Sequence, residues 1–254
     1  MRRLLNVLRQ FGLDPLATYR AFRGIPRFLS NYFFFSIKAK KLPNKLSPIT
    51  RDFFDSAGAS DGHYFWQDLI CAQWIFSNSP LEHFDVGSRI DGFIAHLVSF
   101  RKVFLLDIRK VESKIENLRI IQGNAQESLL HLNRKFDSVS SLHSIEHFGL
   151  GRYRDTIDPL GHEKGLRNIS ELVKDHGMFY VSFPIGESSV EFNAQRIIDP
   201  LWPINILKDF ELLEFVLIPW RGEPNFNTLP ENVDKRISGQ AGLYKFRRLK
   251  SYGS

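Results

Sequence analysis

Three side chains that could transfer protons lie close together in the sequence, because His143, Glu146 and His147 form the pattern His-x-x-Glu-His. A histidine with a pKa near 6.5 accepts a proton readily at neutral pH, and we predict that His147 is a general base. On a helix the three residues would share one face, which is also a ligand spacing for a divalent ion. Two imidazoles and a carboxylate would favour Zn, Mn, Fe or Ni over Mg. The alternative is that Glu146 and His147 only cap a helix or orient the edge of a cofactor site.

A second candidate site is a turn with two glycines that follows an apolar run ending near Asp85. Gly87 can take the positive φ of a sharp strand-to-helix turn, and Gly92 allows the next helix to approach a ligand closely. Asp107 closes a second apolar run 22 residues beyond Asp85, about the spacing at which nucleoside-binding folds place a carboxylate on ribose hydroxyls. The pattern predicts a nucleoside cofactor smaller than a dinucleotide, and the alternative is a tight turn without a ligand.

Strands that alternate with helices must position these residues. The predicted strands cover 83–86, 103–106, 119–122, 137–142, 178–183, 212–218 and 241–246, and the predicted helices cover 50–76, 93–98, 127–132 and 162–174. This order predicts an α/β fold with a Rossmann-like, mostly parallel sheet. Ligands bind such sheets beyond the carboxyl ends of the strands. Asp85, Asp107, Asn124 and His143 all follow strands, so we expect them at one edge.

Two loops at the same predicted edge carry side chains suited to a hydroxyl-rich acceptor. Arg152, Tyr153 and Asp158 follow the fourth strand, and Asn193 and Arg196 follow the fifth. Sugars are bound by planar guanidinium, carboxylate and amide groups with aromatic faces nearby. We predict that these five residues bind substrate, although each alone could be an ordinary surface residue.

Positive charge is concentrated at the N-terminus. Residues 1–50 contain ten Lys and Arg against Asp14 alone, a charge of +9, so the remaining chain must carry −3 to give the total of +6. The arginines interleave with apolar residues, and an aromatic run at 32–35 lies between Arg27 and Lys38. This arm could lie on an anionic membrane surface, or it could form a helical pair that packs on the domain. Nucleic acid is not an expected partner, because the body has no matching basic stripe.

The 254 residues predict one Rossmann-like domain at 51–254 preceded by the basic, aromatic arm at 1–50. The single cysteine, Cys71, excludes an internal disulfide and a cysteine-based zinc cluster, which favours a reducing compartment. No apolar run approaches the roughly 20 residues of a transmembrane helix. We therefore expect a cytoplasmic protein, which the arm could attach to the inner face of the membrane.

Taken in order, these residues resemble a class I S-adenosylmethionine-dependent methyltransferase over about residues 80–246. Asp85 to Ser88 is similar to the first motif of that family, Asp107 to its ribose carboxylate, and 123–125 to its adenine-side turn. The resemblance implies S-adenosylmethionine as cofactor, with Gly87 and Ser88 along the methionine part and Asp107 on both ribose hydroxyls. It also implies that Asn124 and Ala125 flank adenine. Many families of this fold have Asp in place of Asn124, and an amide can still bond to the adenine edge.

A further similarity lies in the segments 141–153, 157–159, 183–186 and 192–196. Together they look like a methyltransferase-like family described as a domain of unknown function in nematodes and also seen in bacterial surface-polysaccharide loci. This resemblance implies a carbohydrate or glycoconjugate setting. Our leading hypothesis is therefore an O-methyltransferase that acts on a sugar of a surface polysaccharide or its precursor, with His147 as base. Some methyltransferases of the fold carry Glu-x-x-Glu-His and bind a metal, and here His143 replaces the first glutamate. The alternatives are nucleotide-sugar chemistry on the same fold, or a scaffold without catalysis.

Overall fold

A computed structural model describes residues 8–55, 58 and 60–250 of the chain. Two compact units are present, and the chain passes from the first to the second after residue 59. The predicted sequence boundary at residue 50 therefore lies inside the first unit. Each unit has its own secondary structure.

The first unit is built around one long helix, α1 (Pro15–Ala39). Asp14 begins it, since its side chain accepts hydrogen bonds from two backbone N–H groups of the first turn, and Lys40 ends it in the left-handed conformation. Gly24 is the buried residue of α1, and a β-carbon there would come within 1.9 Å of the Thr50 carbonyl oxygen. A short 3-10 turn follows at Asp52–Phe54. In the described ranges, no helix is long and apolar enough to cross a membrane.

The second unit is built on a seven-stranded sheet. Its strands are β1 (Glu82–Val86), β2 (Lys102–Asp107), β3 (Leu118–Gln122), β4 (Phe136–Leu142), β5 (Val173–Ile185), β8 (Phe210–Pro219) and β9 (Gln240–Arg248), and a separate hairpin contains β6 (Ser189–Glu191) and β7 (Gln195–Ile197). The order in the sheet is β3-β2-β1-β4-β5-β9-β8. The first five strands are parallel, whereas β9 runs antiparallel to both neighbours. The predicted mostly parallel, Rossmann-like sheet is confirmed.

The helices of this unit are shorter than the sequence pattern predicts. They are α2 (His63–Asn78), α3 (Ala95–Val98) after a π-turn at Ile90–Ile94, α4 (Gly161–Ser170) and α5 (Trp202–Ile206). The helix predicted from Thr50 begins only at His63, after Gly62 at a φ of +85°. The helix predicted at 127–132 is reduced to a 3-10 turn at Leu130–Leu132, which Asn133 ends in the left-handed conformation.

The boundary between α4 and β5 was also predicted in the wrong place. The helix ends at Ser170 instead of residue 174, and β5 begins at Val173 instead of residue 178. The reason is tertiary, because Leu172 and Val173 are buried in the core and Val173 pairs with Phe136 of β4. Local helix propensity is outweighed by that burial.

The core lies on both faces of the sheet. Consecutive strand residues alternate between the two faces, so Phe179 packs in one apolar cluster and Tyr180 in the other. Helix α4 contributes Leu166 to the first cluster, while α2 contributes Ile75 to the second. This three-layer arrangement holds the strand ends rigidly, and the loops that follow them form one edge.

Candidate functional site

The loops that follow β1, β2, β3 and β4 surround a cleft of about 540 Å³. This volume is within the range of small-molecule and cofactor sites. Most of the candidate residues line it, namely Gly87, Ser88, Gly92, Asp107, Asn124, Ala125, His143, His147, Arg152 and Tyr153. The expectation that residues following different strands would meet at one edge therefore holds for the cleft.

The glycine turn after β1 needs glycine at its first position. Gly87 has a φ of +82°, and a β-carbon there would lie 2.1 Å from Ser144 Oγ. Its N–H donates to the carbonyl of Leu106 on β2 at 2.9 Å. The turn is therefore pressed against both neighbouring strand ends, with its backbone open to the cleft.

Asp85 stabilises this turn through hydrogen bonds and is not among the residues that line the cleft. Its carboxylate is buried and accepts hydrogen bonds from the Ser88 N–H and hydroxyl, each at 3.0 Å, and from the Ser140 hydroxyl at 2.5 Å. Burial raises the pKa of Asp85 to about 7, and the serine donors oppose that rise. Asp85 thus shapes the turn, and the direct cofactor contact predicted for it does not fit its burial.

His83 extends the same buried network. The Ser140 hydroxyl donates its hydrogen bond to Asp85, so the Ser140 oxygen accepts a hydrogen bond from His83 Nε2 at 2.8 Å. The other ring nitrogen of His83, Nδ1, accepts a hydrogen bond from the Ser138 hydroxyl at 2.7 Å. Burial lowers the pKa of His83 to about 3, so the ring is neutral in the folded protein.

Asp107 ends β2 at the cleft and is held by Arg109. Its Oδ1 accepts from the Arg109 backbone N–H and Nε, both at 2.8 Å, and its Oδ2 accepts from Nη2 at 2.6 Å. Among the described residues Oδ2 accepts this one hydrogen bond, and its second lone pair can accept another. The carboxylate, only 4% exposed, is thereby fixed in one orientation at the cleft wall.

The turn after β3 closes the cleft on the side of Asn124. The Asn124 side-chain oxygen accepts from the Gln126 N–H at 3.0 Å, and Ala125 is buried beside it. Gln126 also donates to Asp155 at 3.4 Å, which links this turn to the loop after β4. Asn124 and Ala125 therefore both lie in the lining of the cleft.

The His-x-x-Glu-His segment directly follows β4 and forms a 3-10 turn, Ile145–His147, rather than an α-helix. His143 precedes the turn with a φ of +46°, and its Nδ1 lies 3.0 Å from Glu146 Oε1. His147 Nε2 lies 3.7 Å from the same oxygen. Within the described ranges, neither Glu146 oxygen has a partner of hydrogen-bond geometry. A fully buried carboxylate thus faces two imidazoles.

The two imidazoles differ in their other contacts. His147 Nδ1 lies 2.7 Å from the Ala194 carbonyl, which can only accept, so Nδ1 carries the proton. Burial lowers the pKa of His147, an effect that Glu146 opposes and Arg152 reinforces. The His143 ring stacks on His63 at 5.5 Å, and its Nε2 has no hydrogen-bond partner in the part of the chain that the structure describes.

The structure does not support a metal at His143, Glu146 and His147. Among the described residues, no group of three or more His, Cys, Asp or Glu side chains is arranged to hold an ion. His143 Nδ1 and His147 Nε2 lie 3.0 and 3.7 Å from the same Glu146 oxygen, so the three side chains contact one another directly.

Two of the five predicted substrate residues line the cleft. Tyr153 has its ring between two guanidinium groups, with the Arg109 carbon 4.9 Å and the Arg152 carbon 5.2 Å from its centre. Arg152 also donates to the Ala194 carbonyl at 2.9 Å. Asp155 organises the loop by accepting from backbone N–H groups, including that of Gly149 at 2.7 Å.

The other three predicted substrate residues lie outside the cleft lining. Arg196 is 5% exposed and donates hydrogen bonds to backbone carbonyls, including that of Phe148 at 2.5 Å, so its side chain stabilises the local structure. Asp158 accepts from Lys164 at 2.5 Å and from the Leu160 N–H at 2.9 Å. Asn193 occupies the left-handed position of the β6–β7 hairpin and is exposed. For Arg196 and Asp158 the structure shows partners within the protein and does not bring either residue to the cleft.

Sequence reasoning missed residues of α2 that line the cleft. Tyr64 lies 5.1 Å from the His143 ring, and Asp68 lies beside Gly92, where a β-carbon would be 3.1 Å from its Oδ2. Burial raises the pKa of Asp68 to about 6 and raises that of Tyr64 as well. Arg109 was also missed, although its position two residues after Asp107 was a usable signal.

Residues 100–217 match the family described as "Caenorhabditis protein of unknown function, DUF268". The predicted similarity to a nematode domain is confirmed for that segment. No curated protein matches the chain.

Several solved structures have the same fold at low sequence identity. An S-adenosylmethionine-dependent methyltransferase from Clostridium acetobutylicum is 13% identical, with a TM-score of 0.50, 75% of this chain covered and 94% of that chain. The 1,6-didemethyltoxoflavin-N1-methyltransferase of Burkholderia thailandensis, solved with S-adenosylhomocysteine, is 14% identical, with a TM-score of 0.50 and 89% of each chain covered. An O-methyltransferase family protein from Burkholderia thailandensis is 9% identical, with a TM-score of 0.50, 72% of this chain covered and 55% of that chain. The second unit therefore has the class I, Rossmann-like methyltransferase fold.

Proposed function

We propose that the protein is an S-adenosylmethionine-dependent O-methyltransferase whose acceptor is a hydroxyl group of a carbohydrate. The observation that carries the proposal is that the Gly87 turn, Asp107 and His143 line one cleft. A nucleoside-binding half and a proton-accepting half are thus adjacent. Such convergence of binding and acid–base groups is how an active site is recognised from structure.

The cofactor half fits the groups of S-adenosylmethionine. The backbone of the glycine turn would receive the methionine part, Asp107 Oδ2 would accept from a ribose hydroxyl, and Asn124 would meet the adenine edge. When bound, the cofactor supplies a methyl group on a positively charged sulfur. Asp107 and Asp68 place carboxyl groups around a cleft that must receive this cation.

The proton-accepting half supports His143 as the base more strongly than His147. The Nδ1 atom of His143 faces the Glu146 carboxylate, which leaves Nε2 to take the acceptor proton and stabilises the charged ring afterwards. The corresponding partner of His147 is a neutral carbonyl, and Arg152 disfavours its charged form. We therefore assign proton removal to His143 and orientation of the turn to His147, which revises the prediction made from the sequence.

Two residues beside the proton-accepting half of the cleft support a carbohydrate as the methyl acceptor. Tyr153 and Arg152 line the cleft, and the Tyr153 ring lies 5.7 Å from the ring of His147. Planar donors beside an aromatic ring suit the hydroxyl groups and apolar face of a sugar. A surface-polysaccharide setting rests on the sequence resemblance and is part of the proposal.

The proposal is tested by methyl transfer to a panel of acceptors. The protein is incubated with S-adenosylmethionine carrying an isotopically labelled methyl group and with monosaccharides, oligosaccharides and nucleotide-linked sugars. We expect labelled methyl ethers on a sugar hydroxyl, identified by NMR, and no label with the His143→Ala variant. Label on nitrogen of a non-carbohydrate acceptor would overturn the proposal, as would a complete lack of cofactor binding.

A further inference from the structure

Helix α1 exposes a continuous apolar face. Five residues spaced three or four apart lie along one side, and their exposed fractions run from 40% to 67%. They are Phe22, Ile25, Leu29, Phe33 and Ile37, and we refer to them as the apolar strip. At 1.5 Å per residue the strip is about 22 Å long. An exposed apolar patch of this extent marks an interaction surface.

A row of cations lies on a neighbouring face of the same helix. Arg20, Arg23 and Arg27 are spaced three and four apart, Lys38 continues the row in the last turn, and α1 has no acidic residue. The Arg27 guanidinium lies 3.6 Å from the centre of the Phe53 ring. Arg20 also lies 3.6 Å from Asp55 of the same unit. The helix thus has an apolar strip on one face and a row of basic residues beside it.

We propose that the apolar strip docks on an anionic membrane surface. A helix with these two faces lies in the plane of the interface, with its apolar side chains at the boundary of the acyl chains and its cations near lipid phosphates. A second copy of the chain is a poorer occupant, because two strips face to face would bring two cationic rows together with no acidic residue on either helix. This docking is independent of the proposed methyl transfer.

The test uses the full chain and flotation with vesicles. Vesicles of phosphatidylcholine alone are compared with vesicles in which about a third of the lipid is phosphatidylglycerol. We expect binding only to the anionic vesicles, and we expect salt to weaken it. The double variant Leu29→Glu, Phe33→Glu should lose binding at least tenfold. The control, Leu81→Glu with Phe226→Glu, makes the same chemical change at two exposed positions of the second unit and should bind like the wild type.

Circular dichroism establishes that both double variants are folded, which is expected because every substituted side chain is exposed. Equal binding by the strip variant and the wild type would overturn the proposal. Failure of the wild type to bind anionic vesicles would overturn it too. Light scattering measures the oligomeric state of both proteins. If the wild type is a dimer that does not bind vesicles, and the strip variant is a monomer, the apolar strip is assigned to a second copy of the chain instead.

Discussion

The Nδ1 atom of His143 lies 3.0 Å from Oε1 of Glu146, on the turn that directly follows β4. The carboxylate is fully buried, and among the described residues the two imidazoles of the segment lie within 4 Å of its Oε1. In catalytic triads, a carboxylate hydrogen-bonded to an imidazole fixes its tautomer and orientation. In the proposed function, this pair supplies the base of the cleft.

This relationship predicts the effect of removing each imidazole. His143→Ala should lower kcat by roughly 10²- to 10⁴-fold, the usual contribution of a positioned base, while leaving cofactor affinity unchanged. His147→Ala should lower kcat less, because its Nδ1 holds the Ala194 carbonyl. Steady-state kinetics with the acceptor found in the transfer assay measures both. His131→Ala, at an exposed position, is the control. A larger loss of kcat in His147→Ala than in His143→Ala would instead support His147 as the base, as the sequence predicts.

Gly87 offers a second prediction, with Gly222 as its control. Both have a positive φ, +82° and +98°, so a β-carbon costs about 1–2 kcal/mol in each case. At Gly87 the added carbon also meets Ser144 Oγ at 2.1 Å, whereas nothing lies within 4 Å at Gly222. We expect Gly87→Ala to lower S-adenosylmethionine affinity at least about tenfold and Gly222→Ala to leave it unchanged. Calorimetric titration of the two variants checks this, and equal affinities would argue against a cofactor at the glycine turn.

His83 provides a prediction about stability. Its pKa is lowered from 6.5 to about 3 by burial, so below pH 6.5 the unfolded chain binds a proton that the folded chain does not. The contribution of His83 is therefore fully present above 6.5 and is lost as the pH falls toward 3. His83→Gln should reduce the slope of unfolding free energy against pH by about 1.4 kcal/mol per unit in that window. Urea titrations at a series of pH values measure the slope, and the same slope in both proteins would contradict the assignment.

The strands were predictable because their apolar runs end in turns with glycine, proline or polar residues. All seven predicted strands exist in the sheet, with bounds shifted by a few residues. The convergence of Asp107, Asn124 and His143 followed from the rule that parallel strands end at one edge. Local pattern and tertiary structure agree at these positions.

Two parts of the site could not be predicted, because they depend on contacts between segments far apart in sequence. Arg196 looks like a substrate ligand in sequence, yet its guanidinium is used by carbonyls 37 to 50 residues away. Tyr64 and Asp68 reach the cleft only because α2 packs beside the turn that contains Gly92. Neither relationship leaves a periodic signal, so sequence spacing alone cannot reveal it.

Calorimetric titration with S-adenosylhomocysteine tests the central claim most directly, using Asp107→Ala and the control Asp234→Ala. Each variant removes a carboxylate that an arginine two residues later holds, at 2.6 Å for Asp107 and at 2.9 Å for Asp234, but Asp107 is buried at the cleft and Asp234 is exposed and is not among the cleft-lining residues. Loss of a charge-assisted hydrogen bond worth about 1.5–3 kcal/mol should weaken binding at least tenfold in Asp107→Ala. We expect this weakening together with wild-type affinity in Asp234→Ala. Undetectable binding by the wild type, or equal affinity in the wild type and Asp107→Ala, would contradict it.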